Sequence, residues 1–555
     1  MRGQGMAGKA GLHRQVLEMT GFKFPKRNDD RIQIIKKERD MKKLISLLLV
    51  LALAVSFCFA SGAAEAKAPA AQVEYKDTVI IGFQTKTSST NPTAQTSVAH
   101  RIFYNLTHDT LVDYDETSKT IKPGLATSWE ASADFKTWTF TLRDNAYFHN
   151  GEKFTADDVV FTWEWAKENA SNATVKNFYT KTIAGVKALD DTHVEITLNN
   201  GDIDFLYTYS NESYSVLNRE AVTADAENGP SIGTGPYMND EFVVSDHTTL
   251  QRWDKYWGEL APTKTLLFRY ISDGSTRLAS LEAGEIDICQ APNNTEHAII
   301  RANDDLILYT YPGQALTFLA FNEQIPALQD QNLRLAIAYA VNSQEIIDGA
   351  ASGVGNVANG MWGFFEYGYF DDWASVGQVP YNPVNMDLAK EYLAKSNYPD
   401  GLTIKFTAAN QWTVGALQII QAQLKPLNIN VEIQQLDAAG FGNLTKAKEH
   451  EVVIYSVTFT PAGSDAARIY TPGNGVNYAS YDNPKVTELF TKAAAETDDA
   501  TRQAYYREIQ EIVHAECPYI PLYYAGSGAA YSKNVSGAVY NGSGKFDYSQ
   551  VKAEK

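Results

Sequence analysis

The chain has 555 residues, 66 of them acidic and 48 basic, for a formal net charge of −18. A balance that acidic, with no basic patch, argues against a nucleic-acid partner. The length exceeds what one hydrophobic core usually fills, so at least two lobes are expected.

The first forty residues are basic and lack apolar periodicity. They precede Met41-Lys42-Lys43 and an apolar run from Leu44 to Phe57, too short to span a bilayer. Two lysines, an apolar stretch and the small residues Ala60 to Ala64 make a secretory signal peptide that starts at Met41 and occupies residues 41–60. Lys37-Glu38 is what a ribosome-binding sequence would encode if translated just upstream of a start codon. Residues 1–40 are therefore read as a mis-assigned leader, with a genuine extended leader as the alternative. Cys58 closes the apolar run in a context similar to a bacterial lipoprotein box and is a lipidation candidate, although Phe57 stands where a small residue is expected. Cleavage near Ala60 or Ala63 is the alternative. Without residues 1–60, 36 basic residues face 61 acidic ones, a net charge of −25. Cys289 and Cys517 then remain, either pairing in an oxidising compartment or staying as buried thiols. Residues 61–75 are Ala-rich and read as a tether.

Val79-Ile80-Ile81-Gly82-Phe83 opens the fold as a short buried strand. After Pro123-Gly124-Leu125-Ala126-Thr127-Ser128-Trp129-Glu130, the segment Trp138 to Arg143 alternates large apolar and polar residues and predicts a half-buried strand. Ala146 to His149 resumes that pattern, Asn150-Gly151 is a turn signal, and Thr155-Ala156-Asp157-Asp158 predicts a capped helix start. His193 to Leu198 again alternates as a strand. Gly233-Thr234-Gly235-Pro236-Tyr237 and Trp253-Asp254-Lys255-Tyr256-Trp257-Gly258 carry the glycines and proline of tight turns. Gly229-Pro230-Ser231-Ile232-Gly233 satisfies the pattern of a serine-hydrolase elbow, but the residues after it start a helix poorly. Leu278 to Glu282 reads as a short helix, Leu319 to Asn322 as the start of a new strand, and Asn332 to Asn342 as an amphipathic helix. Helices over Asp387–Lys395, Ala416–Lys425 and Thr501–Glu516 alternate with strands at Ile429–Ile433 and Val452–Phe459, the order of an α/β lobe. Within the last helix Tyr505, Ile509, Ile512 and Val513 are expected to face the core. Pro518 to Tyr524 is expected to return the chain to the first lobe.

No catalytic constellation is announced. The nine histidines are scattered outside metal-binding spacings, and no phosphate-cradling glycine loop occurs. Paired acids such as Asp157-Asp158, Asp190-Asp191 and Asp498-Asp499 stand at helix starts or turns. No enzyme, cofactor or metal is therefore expected.

The strings WTFTLR, FHNG and FTADDVVF, taken with the Pro123 to Glu130 segment, GTGPY, WDKYWG, Leu281 to Asp287 and Arg334 to Asn342, resemble the extracellular solute-binding proteins of family 5. That family serves peptide and nickel ABC transporters, and the resemblance covers Val79 to Gly537. It implies an α/β, two-lobed periplasmic-binding-protein fold of type II, large peptide-binding subclass, with mixed sheets and a hinge of two crossovers. Lobe 1 would be residues 76–312 and 522–555 with an inserted subdomain, and lobe 2 residues 313–521. The implied function is an exported, periplasmic or extracytoplasmic receptor of an ABC importer, a monomer that captures a short peptide and delivers it to a permease with its ATPase subunits. An acid in a G-D-P-D context holds the peptide's amino group in such relatives. Asp465, in Gly463-Ser464-Asp465-Ala466-Ala467, occupies the matching place, though the proline and one aspartate are missing. That departure keeps an oligosaccharide ligand open, with Trp412, in a loop before a helix, and Trp362 as stacking platforms. Asn322 completes the ligand-binding candidates. From another class, a secreted hydrolase gripping an extended substrate is the alternative.

Overall fold

The computed structural model describes Val73–Lys555 apart from residues 116–117, 377–383, 410 and 542–544. The leader at 1–40, the signal peptide at 41–60, Cys58 and most of the tether at 61–75 lie outside the described residues.

β1 (Thr78–Phe83) buries Val79, Ile81 and Phe83, as its apolar run predicts. α1 (Val98–Thr107) follows, then a hairpin of β2 (Val112–Asp115) and β3 (Thr120–Pro123). β4 (Ala126–Ala131) pairs antiparallel with β5 (Thr137–Leu142), where buried Trp138, Phe140 and Leu142 alternate with half-buried threonines. The strand expected at Ala146–His149 does not form. Only a single bridge joins Tyr147 to Lys153, because Asn150-Gly151 reverses the chain at once: Gly151 sits at φ 90° and donates its N–H to the Phe148 carbonyl at 2.8 Å. α2 (Ala156–Asn169) starts with a capping box in which Asp158 accepts the Thr155 N–H at 2.9 Å. β6 (Ile183–Asp190) and β7 (His193–Leu198) complete a small antiparallel sheet of order β4-β5-β7-β6, packed around Phe140, Phe178, Val194 and Ile196.

β8 (Tyr237–Val243), β9 (His247–Arg252) and β10 (Thr265–Tyr270) bring the chain back beside β1. Before β8, the backbone runs hard against the end of α1: a Cβ on Gly233 would lie 2.0 Å from the Thr107 carbonyl oxygen. The neighbouring motifs converge there. The His149 N–H donates to the Gly233 carbonyl at 2.9 Å, and Asp109 accepts from the Thr234 hydroxyl at 2.8 Å and the Trp257 indole at 2.9 Å. The Arg143 guanidinium stacks 3.7 Å from the Trp257 ring centre. A cavity of about 290 Å³ opens beside Asp109 and Trp257. FHNG, GTGPY and WDKYWG thus form one structural junction between the small sheet and the main one. Gly229–Ser231 is a 3₁₀ turn that follows a helix over Arg219–Ala224, so no hydrolase elbow is built.

α3 (Gly274–Glu282) and β11 (Ile288–Gln290) precede β12 (Leu306–Phe321), a sixteen-residue strand of which only the end, Leu319 onward, is legible in the sequence. The second half adds α4 (Gln331–Ala340), β13 (Gly355–Val357), α5 (Met386–Lys395), β14 (Thr403–Ala408), α6 (Gln411–Leu424), β15 (Asn430–Gln435), β16 (Val452–Thr458), α7 (Pro484–Ala495) and α8 (Asp499–Glu516). α6 begins five residues before the expected Ala416, so Trp412 lies in its first turn and not in a preceding loop. β17 (Tyr519–Ser532) returns to the first half, as expected from Pro518 onward. Among the described residues, eleven strands join one mixed sheet in the order β15-β14-β16-β12-β17-β11-β1-β10-β9-β8, with β13 on β17. β12 and β17 run through both halves. Leu333, Ile337, Phe406, Leu417 and Ile420 pack the second half's main core. Cys289 and Cys517 are both free and buried, in separate cores.

Gly233→Ala is expected to destabilise the protein by about 1–3 kcal/mol, because the new methyl meets the Thr107 carbonyl oxygen and the buried His108 ring. Urea unfolding checks this against Gly185→Ala, where an added Cβ meets nothing within 4 Å and the change should stay within about 0.5 kcal/mol.

Candidate functional site

β16 fixes the geometry. Its register on β12 runs from Val452 opposite Phe321 to Thr458 opposite Ala315, so its C-terminal end lies beside the place where β12 passes from one half to the other. The chain then turns through Gly463–Ala466 into a short helix, Ala467–Tyr470, and this turn carries Asp465. One Asp465 oxygen accepts the Thr460 N–H at 2.8 Å, and the other lies 3.1 Å from Arg468 Nε. Burial lifts the Asp465 carboxyl above the ordinary carboxylate range, with Arg468 opposing the shift.

A second segment, Trp362 to Tyr369, lies under this turn. The Tyr367 N–H donates to the Pro461 carbonyl at 2.9 Å, and a Cβ on Gly463 would come within 2.8 Å of the Tyr367 carbonyl oxygen. Glu366 is completely buried here and accepts the Gly363 N–H at 3.0 Å. Burial pushes its carboxyl well above the usual range, and the nearby Asp465 charge adds to the shift.

The first half supplies a third layer. Asp204 is buried and accepts both the Ser464 N–H, at 3.1 Å, and a short hydrogen bond from Arg502 of α8. The Arg502 guanidinium is itself buried and lies 4.6 Å from the Tyr367 ring centre. Beside it, burial and the neighbouring Asp204 raise Asp202 to about 6. Tyr114 donates to the Phe365 carbonyl at 2.8 Å, and Tyr207 packs on Tyr367. The Asp465 turn is therefore gripped from both halves. Chemically the cluster is a partly dehydrated acidic junction lined by tyrosines, suited to a cationic group with apolar neighbours.

The other expected ligand residues fall elsewhere. Trp362 has no exposed surface: it stacks on Phe490 and Tyr470 and donates its indole N–H to the Tyr367 carbonyl at 3.1 Å. It holds the loop and offers no face to a sugar. Asn322 stands at the opposite end of β12, fully buried, with its amide donating to the Lys448 and His450 carbonyls at 2.9 and 2.8 Å and its oxygen accepting from Ser480. Both ends of its side chain are engaged in holding loops. The Trp412 side chain lies outside the described residues. Asp204, Glu366 and Arg502 are not singled out by sequence pattern. Their signals are faint ones: an acid within the aromatic run Trp362 to Tyr367, and an arginine in phase with the apolar face of α8. That face is Arg502, Tyr506, Ile509 and Val513, with the expected Tyr505 and Ile512 half-buried at its edge and packed against the same core.

A family model described as bacterial extracellular solute-binding proteins, family 5, matches residues 120–480. Heme-binding protein A of Haemophilus influenzae is 26% identical over 468 residues, covering 78% of this chain and 84% of the relative. The dipeptide-binding protein of Escherichia coli is 27% identical over 482 residues, covering 80% and 89%. The structure of HbpA2 from Haemophilus parasuis superposes with a TM-score of 0.78 at 24% identity, covering 86% of this chain and all of that one.

Arg502→Ala should cost about 3–5 kcal/mol, because it leaves Asp204 buried without its counter-ion. Denaturant unfolding of Arg502→Ala, Asp204→Ala and the double variant checks it. The double variant should recover part of the loss, with a coupling energy of about 0.5–3 kcal/mol.

Proposed function

The chain belongs to the family-5 bacterial extracellular solute-binding proteins, and on that premise we propose that it is the exported receptor of an ABC importer, capturing a short peptide between two closing lobes and passing it to the permease. The observation that carries this reading is the position of Asp465, on a turn at the crossover end of β16 that touches the first half through Ser464 and Asp204. A carboxylate offers about four lone-pair sites. Three are engaged by the Thr460 N–H, the Thr460 hydroxyl and Arg468, which leaves one for a peptide ammonium. The rest of an extended peptide would be held by main-chain hydrogen bonds that ignore side-chain identity.

The hinge fits the register break of β12 on β17 between Pro312 and Leu316. This break supports the expected boundary at residues 312–313; its partners are Tyr524 to Gly526, and a second shift in the same ladder, opposite Pro521 to Tyr523, supports the expected second crossing at 521–522. Closure about such a pair of strands needs few backbone changes. No residue is assigned a catalytic role. Export by the segment at 41–60, and either cleavage near Ala60 or Ala63 or a lipid on Cys58, belong to the same proposal.

The relative named for dipeptides and the one named for heme set the comparison for a thermal-shift screen of the chain from Ser61. Di- to pentapeptides should raise Tm, by the equivalent of about 2.7 kcal/mol at a hundredfold excess over Kd, and Asp465→Ala should abolish the shift. A shift with oligosaccharides or hemin alone would remove the peptide reading and Asp465 as anchor while leaving the fold untouched.

A further inference from the structure

We infer that Glu366 is the proton partner of cation capture: when a ligand's ammonium group joins Asp465, the Glu366 carboxyl releases its proton to solvent, so the buried cluster holds the same net charge empty and loaded. The inference rests on the reading of Asp465 as the ammonium anchor.

The geometry places Glu366 beneath the Asp465 turn with no access to water. Its Oε2 accepts the Gly363 N–H, and its Oε1 is buried with only the Ala466 N–H beside it and no well-formed hydrogen bond. A buried carboxylate left in that state is costly, whereas a neutral carboxyl is tolerated. Counting the charges at the core of the cluster gives the same answer. Three acids, Asp204, Glu366 and Asp465, share two guanidinium groups, Arg468 and Arg502. Arg502 is committed to Asp204 and Arg468 to Asp465. Glu366 is the acid with no ion pair of its own, Arg468 and Lys119 acting on it only at longer range, and a proton fills the deficit. At the margin stand Lys119 with Asp371, Asp202 with its carboxyl raised to about 6, and the phenols of Tyr506 on α8 and Tyr524 on β17.

A ligand ammonium adds one positive charge to this set. The proton on Glu366, nearest the Asp465 turn, is positive charge the cluster can shed without breaking an ion pair. The exchange balances: ammonium enters, a proton leaves, and no bond between heavy atoms changes. A ligand with a blocked, neutral amine brings no charge and triggers no release.

Titration calorimetry of the chain from Ser61 with di- to penta-alanine, in MES and in imidazole buffers at pH of about 6 to 7, counts the protons. The expected result is release of about one proton per free-amine peptide bound, with affinity rising about tenfold per pH unit, and none with the N-acetylated peptides. Glu366→Gln should bind free-amine peptides with no proton released. It should also show a flattened pH profile, which a merely structural role for Glu366 would not produce. Binding by the unaltered protein without proton release, or equal release by Glu366→Gln, overturns the inference and leaves the peptide reading standing. If none of the free-amine peptides binds, the peptide reading falls and takes the inference with it. Should Glu366→Gln fail to fold, the proton count of the unaltered protein alone decides.

Discussion

The antiparallel pairing of β12 with β17 is the constraint on which the remainder depends. β12 pairs with β16 along the end of its length and with β17 along nearly all of it, while β17 also receives β11 and β13. One ladder therefore ties a core built from residues before 312 and after 528 to another built mostly between them. At its middle the ladder loosens. Register shifts between Pro312 and Leu316, and glycines crowd the break. A Cβ on Gly313 would lie 2.2 Å from the Ala525 carbonyl oxygen, so the two backbones approach there as only glycine allows. A sheet that is continuous on both sides of a break, and weak at it, bends at that break.

Residue period makes most of this legible. β5 and β7 follow from strict alternation, α2 from its capping residues, and α4, α5 and α8 from three-to-four-residue spacing, because in each case one face meets a core and the other meets solvent. β12 resists the same reading. Pro312-Gly313 reads as a stop in any local window, yet a bulge between paired strands accommodates both. Ala146 to His149 fails in the other direction: alternation is present, but Asn150-Gly151 and the tether to Phe154 leave too little length for a ladder.

The site is less legible, for a reason that residue type makes clear. Asp465 is a candidate because a motif marks it. Trp362 and Asn322 attract attention as side chains that could bind a ligand, but those same properties, a broad apolar face and a paired donor and acceptor, also serve cores and loop ends. Their burial and complete hydrogen bonding decide for the structural role. Asp204, Glu366 and Arg502 act as a group, and a group drawn from three segments separated by more than a hundred residues has no local signature. Only the fold brings them together.

That grouping has an energetic logic. A buried ion pair such as Asp204 with Arg502 contributes little net stability, since desolvation offsets most of the attraction. Its value lies in selectivity: with the halves apart, both groups would face water and lose little, but with the halves together each demands its partner in place. Because Asp204 also accepts the Ser464 N–H, the contact that closes the halves fixes the backbone one residue from Asp465. On the proposal that Asp465 anchors the ligand, closure and the orientation of its carboxylate are then one event. A ligand that strengthens the Asp465 cluster favours the closed arrangement by its differential affinity, and one that does not engage it shifts nothing, however well it fits the remainder of the cleft.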